Sequence, residues 1–190
     1  MRKRFNSKGY TILELLISLA MTSVIALAGY KFYASMHNSA LTQEEISDLQ
    51  QNSRNVLQEI ARTARMAGYK VGGHTPYEIS GDSLAIYFNQ TQPVDTVLFF
   101  LEDYADADMM TVNGLTESNR PKRLMRKVNS DAAIPYSDLV RSISYNAPTS
   151  NSLEITLVVQ TSKADESFVR NSGVRTYTFT ERVIMRNLNL

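Results

Sequence analysis

Few residues in this chain could do covalent or coordination chemistry. The 190 residues include no Cys and two His, which removes thiolate nucleophiles, disulfides and cysteine-ligated metals. His37 and His74 stand alone, with no H-E-x-x-H or comparable spacing around either. No G-x-S-x-G, Walker loop or dinucleotide fingerprint occurs, so neither an enzyme nor a cofactor is expected. Glu102, Asp103, Asp106 and Asp108 form an acidic cluster whose oxygens could coordinate Ca²⁺. Asp106 and Asp108, the candidates for such a metal, lack the downstream Gly and bidentate Glu of an EF-hand, which favours a solvated loop. Arg120, Lys122, Arg123, Arg126 and Lys127 follow this cluster, so they read as a mixed surface and not as a nucleic-acid footprint. The carboxylate that stands out is Glu14, because of its surroundings.

Those surroundings are polarised. Residues 1–9 carry Arg2, Lys3, Arg4 and Lys8 and no acid. The chain has 20 Lys+Arg against 19 Asp+Glu, net +1; without those four cations, 16 basic side chains face 19 acidic ones, or −3. Between Lys8 and Lys31, Glu14 is the one carboxylate or amine side chain in an otherwise apolar stretch. As a helix, residues 9–30 would span roughly 33 Å, enough for a bilayer core of about 30 Å. Basic residues before the span predict a cytoplasmic N-terminus and an exported remainder. A secretory signal is disfavoured, because no A-x-A-like site bounded by a polar break follows residue 30. A plain signal anchor accounts for everything except Glu14, since a carboxylate at membrane depth is costly enough to need a partner.

The string Lys8-Gly9-Tyr10-Thr11-Ile12-Leu13-Glu14-Leu15-Leu16, after a basic leader and before an apolar helix, resembles the class III signal of type IV prepilins. The resemblance implies cleavage after Gly9 by a prepilin peptidase and N-methylation of the new terminus on Tyr10, where most members of the family have Phe. It also assigns Glu14 the role of the glutamate on the fifth residue after the cut. The physics agrees, because cleavage leaves an α-amine about one turn from Glu14, and two charges at the edge of a bilayer cost less as a pair. Paired between neighbouring subunits, they would set axial register in a filament. Ser18, Thr22, Ser23, Gly29 and several Ala would allow close helix approach in lipid, although such hydroxyls can also bond their own backbone carbonyls.

The elements that position these residues begin with one helix. Gly29 is the one glycine between residues 10 and 67, and no Pro precedes Pro76, so the pattern predicts a continuous helix over 10–67, a rod of roughly 87 Å. From residue 42 it turns amphipathic, with Ile46, Leu49, Val56, Leu57, Ile60, Ala61, Ala64 and Ala67 on one face. Gly68 supplies a C-terminal cap and Gly72-Gly73 end any continuation. These apolar positions lack strict Leu/Ile heptads, which disfavours a dimerising coiled coil. Beyond residue 80, Leu84–Asn89, Asp95–Leu101, Arg123–Val128, Leu139–Ala147, Ser152–Thr161 and Val174–Asn187 alternate as strands. No helical pattern separates them, so pairing should be antiparallel, with one face on the helix. The alternation over 174–183 leaves open which set of side chains faces inward.

Arg62-x-x-Arg65-x-Ala67-Gly68-Tyr69 at the helix end, with the strand sequences from Leu124 to Asn187, is similar to PilW-type minor pilins and J-type minor pseudopilins of type II secretion. The expected fold is therefore α+β and pilin-like, a long N-terminal helix packed on an antiparallel sheet. The expected organisation is a leader (1–9), a transmembrane part (10–31), an exported amphipathic half with its exit (32–72) and a β-rich head (73–190). The resemblance implies a minor pilin or pseudopilin, cleaved, methylated and incorporated into a type IV pilus or pseudopilus, priming assembly or sitting at the tip. Its partners would be other pilins or pseudopilins, the prepilin peptidase, an inner-membrane assembly platform and membrane lipid. Its location would be the inner membrane and then the filament. The alternative from the residues alone is a single-pass anchored sensor or binding protein with an exported α+β domain.

Overall fold

The computed structural model describes residues 10–72, 75–89, 94–104, 120–162, 168 and 173–186. The chain divides into two compact units, Met1–Glu44 and Glu45–Leu190. One helix, α1 (Ile12–Arg65), runs through the boundary. Its sequence contains no Pro and a single Gly, so nothing interrupts the i to i−4 ladder.

In the first unit, α1 buries none of its large apolar side chains. Ile12, Leu13, Leu15, Leu16, Leu19, Val24, Ile25 and Leu27 are all exposed. In the second, Leu49, Val56, Leu57, Ile60, Ala61, Ala64 and Ala67 are buried, the face expected from their spacing except for half-buried Ile46. Ser53 and Thr63 are buried with them. Each satisfies its hydroxyl on the preceding turn, Ser53 Oγ donating to the Leu49 carbonyl at 2.6 Å and Thr63 Oγ1 to that of Glu59 at 3.0 Å. The helix tightens before it ends, through Met66 N–H to Thr63 O and Ala67 N–H to Ala64 O. Gly68 takes φ 79°, a conformation that glycine reaches without a Cβ clash. From there its N–H bonds the Tyr87 carbonyl at 2.9 Å, tying the helix exit to the sheet.

The sheet has seven strands in chain order, each antiparallel to the next: β1 (Tyr77–Ser80), β2 (Ser83–Phe88), β3 (Asp95–Glu102), β4 (Lys122–Val128), β5 (Ile134–Thr149), β6 (Ser152–Gln160) and β7 (Thr176–Ile184). This is the expected α+β, pilin-like architecture, with the helix packed on an antiparallel sheet. Leu84, Ile86, Val97, Phe99, Leu124, Val140, Ile143, Leu153, Ile155, Leu157 and Val159 form one cluster with the helix face. Leu157 opposite Phe179 and Leu153 opposite Val183 settle the last register. Tyr177, Phe179 and Val183 pack against the core, and Thr176, Thr178, Thr180 and Arg182 take the alternate face.

Two departures from the sequence reading have local causes. β1 was not expected; its four residues pair with β2 through a two-residue Gly81-Asp82 link, Gly81 having φ 60°. β5 begins at Ile134, five residues before the expected Leu139, because Ile134, Pro135 and Ser137 continue the pairing through register shifts against β4. At that bulge Leu139 adopts φ 59°, unfavourable for a residue with a Cβ. A clasp holds it there. Tyr104 Oη accepts from the Leu139 N–H at 3.0 Å and donates to Asp138 Oδ1 at 3.1 Å. Arg123 Nε donates to the same oxygen at 2.9 Å and its guanidinium lies 4.7 Å from the Tyr104 ring centre. Burial pushes the Tyr104 phenol above its ordinary range.

Candidate functional site: the N-terminal segment

At the helix start Thr11 caps α1 and Glu14 closes a reciprocal box on it. Glu14 Oε2 accepts from the Thr11 N–H at 2.9 Å and from Thr11 Oγ1 at 3.0 Å, while the Glu14 N–H donates to Thr11 Oγ1 at 3.2 Å. Two backbone donors that a helix start leaves unpaired are thereby satisfied. Thr11 is the residue that sequence reasoning missed. Its signal was legible, as [ST]-x-x-[DE] ahead of an apolar run. Both side chains are exposed, so the Glu14 carboxylate is held in place and still reachable by another chain.

The serine and threonine hydroxyls of the apolar stretch are bonded within the helix. Ser18 Oγ donates to the Leu15 carbonyl at 3.0 Å, Thr22 Oγ1 to Ser18 at 2.7 Å and Ser23 Oγ to Leu19 at 2.8 Å. Of the two uses weighed for these residues, the structure contains the intrahelical one. Gly29 has nothing within 4 Å of where a Cβ would stand. Past it come Tyr30, Phe32 and Tyr33, each about two-thirds exposed. His37 stacks on Tyr33 with ring centres 6.2 Å apart. Aromatic side chains beside a Lys at the end of an apolar stretch suit the headgroup level of a bilayer. α1 is long and apolar enough to cross a membrane, and its most apolar window has no buried residue.

Gly9, His74, Asp106 and Asp108 lie outside the described residues. Tyr10 is described and exposed; it directly precedes Thr11, the residue to which Glu14 is bonded. In the head, Asp103 pairs with Lys122 at 3.5 Å, and Glu102 stands opposite Arg123 across β3 and β4. Among the described residues no three His, Asp or Glu side chains gather to hold a metal.

Residues 4–30 match the family model described as the prokaryotic N-terminal methylation motif. No curated protein and no solved structure matches the chain. The motif is type IV prepilin-like and marks the chain as a pilin-like prepilin-peptidase substrate. Chains that bear it are structural subunits, associated with other pilins and with the peptidase. The motif and the apolar helix together fit membrane anchoring and incorporation into a pilus.

Proposed function

We propose that this chain is a minor pilin or pseudopilin subunit. The peptidase cuts after Gly9, the new terminus on Tyr10 is methylated, and the apolar half of α1 holds the subunit in the inner membrane until it enters a type IV pilus or type II secretion pseudopilus. There it primes assembly or occupies the tip. Residues 1–9 are the leader, 10–31 span the membrane with the N-terminus cytoplasmic, 32–72 are the exported helix and its exit, and 73–190 form the head. Glu14 pairs with the α-amine of a neighbouring subunit and sets axial register. The carrying observation is an apolar helical segment, matched by the methylation motif, that buries no large side chain within its own chain. A segment so constituted is built to be covered by lipid first and by other subunits afterwards.

Intact mass of the protein recovered from membranes tests the processing. The expected mature chain lacks residues 1–9 and carries one methyl group on Tyr10. A full-length chain would instead support an anchored sensor or binding protein.

A further inference from the structure

The sheet is open, so β1 and β7 each have one side without a neighbouring strand among the described residues. Such an edge is a row of backbone donors and acceptors that another chain can pair with, and edges are commonly blunted by shortness, Pro or a bulge. β1 is blunted, being four residues long and preceded by Pro76. β7 is not: its nine residues include no Pro or Gly and pair with β6 one for one, without a register shift. Its core-facing row is also left open at the side. Leu157 and Val159 on β6 are fully buried, whereas Phe179 and Tyr177, directly opposite them on β7, are half-buried. Glu181 lies in the same row, opposite fully buried Ile155 and between Phe179 and Val183. It is half-buried, and among the described residues it has no hydrogen bond or ion pair. A carboxylate at the margin of a core without a base is costly, and it repels a purely apolar strand.

We propose that the free side of β7 receives an extended segment of a different protein chain as a further strand, carrying a Lys or Arg beside Glu181 and an apolar residue beside Phe179. Backbone hydrogen bonds to β7 supply the affinity, and the row of side chains supplies the choice of partner. The apolar residue covers the open flank of Phe179, and the base gives Glu181 the partner it lacks within its own chain. Charge complementarity argues against a second copy as the donor. The edges that another copy could offer are β1 and β7. Their core-facing rows, Tyr77 with Ile79 and Tyr177 with Phe179, Glu181 and Val183, contain no base. A second β7 would bring another carboxylate to the row instead.

The test uses the full chain in detergent micelles and a dye-labelled peptide with blocked ends, Thr-Val-Thr-Lys-Thr-Val-Thr, which reads alike in both directions and so assumes no strand polarity. Saturable binding is expected by fluorescence anisotropy, after subtraction of binding to empty micelles, with slowed hydrogen exchange confined to the amides of residues 176–184. Glu181→Gln should weaken binding by about threefold or more. Glu181→Lys with a peptide carrying Glu in place of its Lys should restore it. The peptide is also N-methylated on one or the other alternate set of its amides. One set faces β7 and the other faces away, so one modified peptide should lose binding and the other keep it. No saturable binding, equal binding by the two N-methylated peptides, protection at β1 and not at β7, or no effect of Glu181→Gln would each overturn the proposal. Protection of 176–184 that appears without peptide and grows with protein concentration would overturn it in favour of pairing between copies.

Discussion

Ile60→Ala tests whether the two halves of α1 serve different masters. Ile60 is fully buried between the helix and the sheet, in one cluster with Phe99, Leu124 and Ile155. Truncating a buried Ile to Ala costs about 2–5 kcal/mol, and ~3.5 kcal/mol is a fair centre for a side chain enclosed on all sides. Ala is the better helix former by about 0.4 kcal/mol, which leaves a loss of ~3 kcal/mol. For a unit of the size of Glu45–Leu190, each kcal/mol moves the melting midpoint by about 2–4 °C, so a fall of about 6–12 °C is expected. Leu16→Ala is the comparison. It truncates a similar side chain on the same helix, but Leu16 is 56 % exposed, and the head should keep its stability within about 0.5 kcal/mol of the parent, a midpoint shift of no more than about 2 °C. The assay is thermal unfolding of the full chain in detergent micelles, followed by tyrosine near-ultraviolet dichroism. The signal comes largely from the head, since the chain has no Trp and Tyr69, Tyr77, Tyr87, Tyr104, Tyr136, Tyr145 and Tyr177 lie in the second unit. Equal destabilisation by the two substitutions, or an unchanged midpoint for Ile60→Ala, would refute the division of labour.

Four further outcomes are expected. Glu14→Gln keeps an acceptor for the Thr11 cap and loses the charge, whereas Glu14→Ala loses both; if the charge sets register, both variants are processed and both fail to enter filaments, and normal assembly of the Gln variant, scored by sheared-filament yield, would contradict that role. Tyr104→Phe strands the Leu139 N–H and takes from Asp138 one of its two donors, leaving Arg123, costing about 1–2 kcal/mol in the same melt. Tyr145→Phe should be neutral or stabilising by up to about 1 kcal/mol, because its hydroxyl is buried with no partner among the described residues. Burial also raises the Tyr104, Tyr136 and Tyr145 phenols. A raised folded-state value means that the unfolded chain releases these protons first, so head stability is whole below about pH 10 and falls as pH rises beyond it. The denaturant midpoint measured at rising alkaline pH should decline, and less steeply in Tyr145→Phe.

What could be read from the sequence followed the strength of each periodic signal. The helix was expected over 10–67 and is found at Ile12–Arg65, because an uninterrupted apolar run followed by a 3.6-residue stripe has few other solutions. Ser53 and Thr63 escaped notice as core residues, since a hydroxyl signals surface until its bond to the preceding turn is seen. β1 escaped because four residues carry too little alternation, although the Gly81-Asp82 step between Ile79 and Leu84 was a hairpin signal. The first third of β5 was masked by Pro135 and Asp138, which read as a turn. Only the bulge and the Tyr104 clasp, contributed from a distant part of the chain, make those residues strand. In the N-terminal segment Glu14 was conspicuous for its charge, while the capping role it shares with Thr11 follows from spacing alone.

That double use of Glu14 bears on how a subunit could leave the membrane. A carboxylate with no bond at the helix start would be driven toward water or protonation as the span inserts. In the capping box, Oε2 receives both donors from Thr11, so the group is accommodated within its own first turn. Under the proposed pairing of Glu14 with a neighbour's α-amine, transfer from lipid to a filament would exchange or supplement this short-range bonding and would not require an unpaired charge to be carried between the two environments. The Ser18, Thr22 and Ser23 hydroxyls follow the same logic, each spent on the helix that bears it. The surface left for neighbours is made of apolar and small side chains, and at Gly29 the structure leaves open space where a Cβ would stand. Gly29→Ala separates the two settings: it should favour the isolated helix by about 1 kcal/mol and lower filament yield if another helix comes within a methyl group of that position. Unchanged yield would place the neighbouring helix on another face of α1.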